Sequence, residues 1–318
     1  MFRLENGSLT SVSSVEQLKE LVCKLTNGGN RSLCFENMAV QNICLWKLEG
    51  KVPTETIDIY GFPDENPLYV FYFERSHHQF PQLHVRTPSM GMTESNLNEA
   101  LIEIMAVALP LIEKQGKELL LDADTVVQDA FFKLIKSGDL PFTIRSFGDL
   151  IPFYMNKSQQ KELLQMNLTS PDGYKIDEIK IDKEYEGIHA ALSYADEAAP
   201  ELTRLRLGNL PSVCIRDVGG NLASWQMSHH YGQLTHLYTV PSCRGKGLGV
   251  LTELLLAQKM AKSGLQVFKY VDFDNEKVFK GTMKHPLWTR WVSTRENNEK
   301  EEGEEDIMWS YSICTLIQ

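Results

Sequence analysis

A glycine-rich segment in the second half of the chain carries the clearest chemical signal. Its residues alternate between a longer side chain and glycine: Arg244, Gly245, Lys246, Gly247, Leu248 and Gly249. Glycine lets the backbone turn so that successive N–H groups point into one concavity, and a helix that begins there adds unpaired N–H groups and the positive end of its dipole. Such a segment is suited to bind a pyrophosphate, with Arg244 and Lys246 supplying positive charge.

Two common nucleotide-binding motifs do not fit this segment. A P-loop would close with Gly-Lys followed by serine or threonine, and none follows here. The complete dinucleotide spacing, with an acidic residue on the following strand, is also missing, so ATP and NAD are not the expected ligands. A connection that serves only to turn the chain remains the alternative interpretation.

The flanking sequence predicts the elements that position this segment. Residues 233–240 predict a strand that ends beside the glycines, and leucines at helical spacing predict a helix over 247–263 that closes at Gly264. Gly219, Gly220 and Asn221 predict a hairpin turn because they tolerate positive φ. The other predicted elements are strands at 174–181, 211–217, 222–227, 267–273 and 308–317, and helices at 185–202 and 276–283. The second half therefore predicts an antiparallel meander followed by a strand-helix-strand unit.

The first half mixes helical and strand patterns without a motif that indicates chemistry. Helical spacing marks residues 14–25, 96–113 and 125–135, and β-branched or apolar runs mark strands at 68–73 and 119–122. Residues 167–173 are the clearest run of loop formers. We therefore predict an α/β fold with a mixed sheet in two domains, 1–169 and 170–318.

Composition limits the function. The chain has 318 residues, 42% of them hydrophobic, and a formal charge of −10, which argues against nucleic acid as the main partner. No apolar run approaches the ~20 residues that cross a bilayer, so no membrane partner is expected. Six cysteines without a CxxC pair or a secretory signal predict reduced thiols. We expect a cytoplasmic protein, with a mitochondrial location left open.

Other polar runs receive simpler interpretations. His77 and His78 have no companion at metal-ligand spacing, so we expect a surface hairpin there and no metal. Residues 295–306 are too charged to be buried and predict a solvated loop.

The glycine-rich segment resembles the Arg/Gln-x-x-Gly-x-Gly/Ala loop of the GNAT acyltransferases, which also lies between a strand and a helix. The resemblance extends over 174–318. Four shorter stretches resemble the glycine N-acyltransferase family in particular, whose members also have an N-terminal half of about this size. They are Leu210-Pro-Ser-Val-Cys, Ala223-Ser-Trp, Val240-Pro and Tyr270-Val-Asp-Phe-Asp-Asn-Glu.

The resemblance implies a role for each residue around the segment. Backbone N–H groups from Gly245 to Gly249 would hold the pyrophosphate of coenzyme A (CoA). The preceding strand would separate from its neighbour and pair with the pantetheine amides through Leu237, Tyr238, Thr239 and Val240. Asn275 would form a hydrogen bond near the pantetheine arm, although a helix N-cap explains the same residue.

The chain departs from its relatives at the general base. Gln233 stands where glycine acyltransferases keep a glutamate, and an amide cannot accept a proton. His236 is one alternative, although strand alternation predicts that it points to the other sheet face. His229 and His230, just before the turn, are further candidates, and a water chain held by Gln233 is another possibility. No acid is assigned, because the helix after Asn275 lacks the tyrosine that many GNAT enzymes place there.

The resemblance implies an acyl-CoA:amine N-acyltransferase whose acceptor is a small amine such as glycine. Acyl-CoA would be the co-substrate, and Gln233 and His236 the candidate catalytic residues. Two alternatives stay open: a CoA-binding protein with little activity, and an acetyltransferase acting on a protein amine.

Overall fold

The computed structural model describes residues 9–27, 35–51, 57–62, 69–74, 81–86, 93–192, 200–230, 232–291 and 309–317. The helices are α1 Val15–Asn27, α2 Phe35–Leu48, α3 Glu94–Lys114, α4 Thr125–Ser137, α5 Lys157–Gln165, α6 Ile181–Ala190, α7 Pro200–Asn209, α8 Leu248–Lys262 and α9 Glu276–Lys284. The strands are β1 Thr10–Ser11, β2 Ile57–Phe62, β3 Tyr69–Glu74, β4 Gln82–Arg86, β5 Glu118–Asp124, β6 Phe142–Tyr154, β7 Tyr174–Asp177, β8 Ser212–Asp217, β9 Leu222–Ser228, β10 Leu234–Thr239, β11 Phe268–Asp272, β12 Thr289–Arg290 and β13 Trp309–Leu316.

The strands form one mixed sheet whose two ends repeat the same unit. The order is β1-β2-β3-β4-β5-β13-β6-β11-β10-β9-β8-β7, with β12 on β6. In the first unit β2, β3 and β4 form a meander, α3 follows, and β5 pairs parallel to β4. In the second unit β8, β9 and β10 form a meander, α8 follows, and β11 pairs parallel to β10. This confirms the predicted α/β class with a mixed sheet.

The two units exchange their final strands at the centre of the sheet. β6 leaves the first unit and pairs antiparallel with β11 of the second, while β13 pairs antiparallel with β5 of the first. β6 and β13 also pair with each other. The predicted boundary between residues 169 and 170 lies in the connection between α5 and β7 and stays a prediction.

Local sequence explains where the predicted helices begin and end. Thr93 starts α3 with a capping box that it shares with Asn96, and Asp124 caps α4 at the N–H of Val127. Gly264 follows α8 at φ 74°, the left-handed position expected of a closing glycine. The predicted charged run at 295–306, the pair His77 and His78, and Cys34 lie outside the described residues.

Helix α3 is long and apolar enough, by length and composition, to cross a membrane. Here it packs against the sheet of the first unit through one buried face: Leu97, Ala100, Leu101, Ile104, Met105, Ala108 and Ile112. This face belongs to a cluster with Phe71, Phe73 and Leu121 of the neighbouring strands, which is the arrangement of a core helix.

Helix α2 of the first unit holds a turn of the second. The Asn42 side chain is fully buried; its amide donates to the carbonyls of Gly232 at 2.9 Å and Gln266 at 2.8 Å, and its oxygen accepts from the Gln266 N–H at 2.8 Å. Gly232 has φ 97°, and a Cβ there would come within 2.9 Å of the Asn42 Cβ. The turn before β10 therefore depends on a helix nearly two hundred residues earlier in the chain.

We predict that Gly232→Ala lowers stability more than Gly220→Ala does. Both glycines have positive φ, but a Cβ at Gly220 meets nothing within 4 Å. The difference therefore isolates the contact with Asn42, and overpacking of this kind typically costs about 1–3 kcal/mol. Urea unfolding of both variants measures it, and equal destabilisation would contradict the close approach.

Candidate functional site

The glycine-rich segment forms a concave backbone before α8. After one 3-10 turn, Pro241–Cys243, the chain passes Gly245 at φ 76° and Gly247 at φ 77°. A Cβ at either glycine would meet nothing within 4 Å, so open space lies beside the backbone. Gly247 is the N-cap of α8 and makes no side-chain cap bond. The first N–H groups of α8 therefore lie next to a surface that an anion can approach.

Gly249 has a different role from the other two glycines. Its Cβ position lies 3.3 Å from the Thr239 Oγ1, so the start of α8 sits directly on the end of β10. The Thr239 hydroxyl lies 3.0 Å from the Ser224 hydroxyl, which accepts from Thr252 Oγ1 at 2.9 Å. These contacts tie the end of the strand to the helix and fix the segment between them. Leu248 is buried beneath it.

The two predicted cations are exposed and rest on aromatic rings. Arg244 Nε donates to the Thr239 carbonyl at 2.9 Å, and its guanidinium lies 5.7 Å from the Tyr238 ring centre. Lys246 Nζ donates to the Tyr174 hydroxyl at 2.7 Å. This hydrogen bond raises the pKa of Lys246, which stays charged at neutral pH. The sequence did not indicate Tyr174, which lies on β7.

β10 separates from β11 just after it begins. Among the described residues, Leu234 and Lys269 are the one ladder pair between these strands, whereas β10 stays paired with β9 through Thr239. A bulge interrupts the β9 register between Thr235 and Tyr238. Within it Leu237 is 39% exposed. The resulting gap opens beside the four residues that the resemblance assigned to the pantetheine arm.

Lys269 holds the position at which β11 is still paired with β10. Its Nζ donates to Glu253 Oε2 at 2.7 Å and to Thr282 Oγ1 at 3.0 Å, and lies 4.4 Å from the Trp288 ring centre. Burial lowers the pKa of Lys269, and the charge of Glu253 opposes that shift. The ion pair and the ring hold β11 against α8 and α9 where β10 departs.

His236 is the residue that the bulge displaces. It has φ 53°, one of two positive values among the described non-glycine residues. The bulge interrupts the alternation on which its expected orientation depended, so counting along the strand no longer predicts which sheet face His236 occupies. Burial and then the charge of Arg206 lower its pKa to about 3, so His236 lies near α7 and is neutral at physiological pH.

Gln233 is buried at the turn that leads into β10. Its carbonyl accepts from the His229 N–H at 2.8 Å, and the Gly232 N–H donates to the His229 carbonyl at 2.9 Å. The His229 and His230 rings lie 4.2 Å apart. The structure thus brings Gln233 and both histidines together at one end of the gap.

A buried chain of three side chains joins the two units at this end. Arg206 Nε donates to His230 Nδ1 at 3.1 Å, and His230 Nε2 lies 2.8 Å from Glu74 Oε2. All three residues are less than 9% exposed. Sequence reasoning missed Arg206 and Glu74, because neither belongs to a motif and 156 residues separate Glu74 from His230.

Asn275 is the N-cap of α9, which is the simpler of the two roles that the sequence suggested for it. Its side-chain oxygen accepts from the Val278 N–H at 3.3 Å, and its own N–H donates to the Asp272 carbonyl at 3.1 Å. It follows β11 directly, so its position at the strand end stays compatible with the role implied by the resemblance.

Residues 212–280, from β8 into α9, match the family model described as FR47-like protein. Three solved structures are similar over nearly the whole chain. A Drosophila protein is 12% identical with a TM-score of 0.73, covering 98% of this chain and 99% of that one. A tandem GNAT protein from the clavulanic acid biosynthesis pathway is 12% identical with a TM-score of 0.53, covering 96% and 97%. A GCN5-related N-acetyltransferase from Sphaerobacter thermophilus is 6% identical with a TM-score of 0.51, covering 96% and 95%.

These comparisons show that the chain has the GNAT fold, in two tandem GNAT-like domains. This is the fold that the resemblance of the glycine-rich segment implied, and the FR47-like match includes that segment. The narrower resemblance to glycine N-acyltransferases stays a prediction.

We predict that His236 makes unfolding sensitive to acid. Its pKa is about 3 in the folded protein, below the ordinary histidine value of 6.5, so the unfolded chain binds this proton first. The stability contribution is complete above about pH 6.5 and is lost as pH falls toward 3, by at most about 1.4 kcal/mol per pH unit. His236→Asn, which tolerates the positive φ, should flatten the profile of unfolding free energy between pH 6 and 4. Parallel profiles, normalised at pH 7.5, would contradict the assignment.

Proposed function

We propose that the chain is an acyl-CoA-dependent N-acyltransferase that moves an acyl group from CoA to the amine of a small acceptor such as glycine. The observation that carries this proposal is the gap between β10 and β11, with a concave glycine backbone at the end where β10 meets α8. The GNAT fold of the chain supports it.

The substrate CoA fits this gap by its chemistry. Its pyrophosphate matches the open backbone at Gly245 and Gly247 and the first turn of α8. Its pantetheine amides match the backbone groups of β10 beyond Leu234, where the ladder with β11 has ended. Arg244 and Lys246 lie beside the glycines and add charge attraction for phosphate.

The reaction needs one proton removed and one supplied. The acceptor ammonium loses a proton, and its nitrogen then attacks the thioester carbonyl carbon. A C–N bond forms, the C–S bond breaks, and the CoA thiolate takes up a proton as it leaves. Binding both substrates in one cleft contributes by proximity. The amide of Gln233 cannot take the first proton, and His236 with a pKa of about 3 is a weak base at neutral pH.

The buried charge near the bulge favours an acceptor that carries a carboxylate. Arg206 is 3% exposed, donates to His230, and lowers the pKa of His236 through its charge. A guanidinium held in a buried setting interacts strongly with a carboxylate. Arg206 therefore supports a small amino acid as the acceptor, in preference to the side chain of a protein lysine.

We predict that Gly247→Trp abolishes CoA binding because the side chain fills the open space beside the backbone. Calorimetry with CoA measures the effect, and wild-type binding should weaken with salt because the cations are exposed. Gly138→Trp is the matched control, since Gly138 also has positive φ and open space but lies at the end of α4. Unchanged affinity in a folded Gly247→Trp protein would refute the assignment.

We also predict that the chain acylates glycine better than glycinamide, which keeps the amine but lacks the carboxylate. Arg206→Met should reduce the ratio of kcat/KM for the two acceptors by about tenfold or more, the effect of one charge-assisted contact of ~1.5–3 kcal/mol. Because the ratio compares two acceptors in one protein, a general effect on catalysis cancels. A ratio that Arg206→Met leaves unchanged would remove Arg206 from acceptor recognition.

A further inference from the structure

The proposed reaction needs a group that takes the proton from the acceptor ammonium, and neither Gln233 nor His236 is a strong candidate for it. Gln233 has no basic atom, and His236 holds its proton weakly. The chain of Arg206, His230 and Glu74 ends on a carboxylate from the first unit. A role for these residues as the base rests on the proposed function, because only acyl transfer to an ammonium requires one.

The hydrogen bonds of His230 determine its tautomer. Arg206 Nε can only donate, so His230 Nδ1 accepts, and the ring proton resides on Nε2. That proton points to Glu74 Oε2 at 2.8 Å. His230 is therefore a neutral ring between a cation and a carboxylate, oriented so that a proton gained at Nδ1 can be passed on from Nε2.

The three hydrogen-bonded side chains of Arg206, His230 and Glu74 lie beside the predicted reaction centre. The residue next to His230, His229, is bonded through its N–H to the Gln233 carbonyl. Arg206, which bonds His230, also lowers the pKa of His236 in the bulge. Contacts therefore connect α7, the turn and the bulge near the start of β10, the strand that leaves β11 after Leu234.

Glu74 lies in a densely charged part of the first unit. The charge of Glu74 acts on Tyr72 of its own strand and on His84 of β4, and the charges of Arg86 and Asp122 act on the same two side chains. From α2, Lys47 donates to the carbonyl of Ile57, the residue paired with Glu74 across the sheet. Two cations therefore accompany the two carboxylates.

We propose that His230 is the general base of the acyl transfer and that Glu74, acting through it, positions the ring and receives the proton. When the acceptor carboxylate binds Arg206, the guanidinium turns from His230 Nδ1 to the carboxylate. The ammonium then gives one proton to Nδ1, and the Nε2 proton moves to Glu74 Oε2. The amine nitrogen attacks the thioester, and its second proton goes to the departing CoA thiolate.

The arrangement explains how the chain works with glutamine at position 233. Glu74 on β3 supplies the carboxylate that takes up the proton, in place of a glutamate at position 233. His230 connects Glu74 to the acceptor amine. It also links acceptor binding to base activation, since Arg206 releases Nδ1 only when it has another anion to bind. When the acceptor has no carboxylate, Arg206 stays bonded to His230 Nδ1, and His230 cannot take up the proton.

We test this with Glu74→Gln and His230→Gln. A glutamine at 230 can still accept from Arg206 and donate to Glu74, so it keeps both hydrogen bonds but cannot carry a proton. Each variant should lose about 10²–10⁴-fold in kcat at pH 7, the usual contribution of a general base, with unchanged CoA affinity. Without the base only the unprotonated acceptor reacts, and its fraction rises about tenfold for each pH unit below the pKa of the amine. The loss in kcat relative to wild type should therefore shrink about tenfold per pH unit as the pH is raised toward that pKa.

The decisive measurement is rescue by a second substitution. Adding Gln233→Glu to Glu74→Gln or to His230→Gln should raise kcat at least tenfold, and this gain should exceed the gain that Gln233→Glu produces in the wild-type protein. Asp122→Asn, which removes another buried carboxylate paired with a histidine, is the control. It should keep the wild-type pH profile, and Gln233→Glu should raise its activity no more than in the wild-type protein.

The outcomes separate the two proposals. If wild type acylates glycine and His230→Gln does so equally well, the acyltransferase proposal stands and this base assignment is wrong. If both variants lose activity equally at every pH without rescue, the residues are structural and the assignment is wrong. His230→Gln decides the matter should Glu74→Gln fail to fold. If wild type binds CoA but acylates no amine, both proposals are overturned.

Discussion

The antiparallel pairing of β6 with β13 at the centre of the sheet is the constraint on which the rest of the structure depends. β6 follows the first unit along the chain but also pairs with β11 of the second unit. β13 follows the second unit but also pairs with β5 of the first. Neither unit can complete its sheet alone, because its final strand would be missing and the edges of β5 and β11 would be left unpaired. The geometry of the gap beside β10 therefore depends on β6, because residues 150–154 of β6 pair with the whole of β11.

The same exchange brings a polar face of the first unit against the second. Tyr72, His84 and Asp122 are directly opposite one another on β3, β4 and β5, and His84 is hydrogen-bonded to Asp122. The Tyr72 and His84 rings stack at 4.4 Å. Buried charges are costly unless paired, and here each carboxylate has a histidine partner. The second unit adds His230 as the partner of Glu74, so the polar contact also helps to determine how the units meet.

Local sequence determined several of the elements and the concave segment, although the helix predicted over 185–202 is wrong, since α6 ends at Ala190 and α7 begins at Pro200. Helical spacing and capping residues predicted α1, α3, α4, α8 and α9, and alternation with turn formers predicted the meander of the second unit. The positive φ of Gly245 and Gly247 follows from the residue type, because only glycine adopts that conformation without strain. These features depend on a few neighbouring residues, and for that reason a single sequence is enough to predict them.

Tertiary structure decided the features that join distant parts of the chain. The pattern of residues 142–154 did not indicate that this strand would pair with β11 and β13, because partner choice depends on which apolar faces pack together. The orientation of His236 could not be derived by counting along the strand, since one bulged residue reverses the alternation. The contact of Glu74 with His230 spans 156 residues. Sequence thus determined where CoA chemistry was to be sought, and only the packing of the two units placed a carboxylate from one beside a histidine of the other.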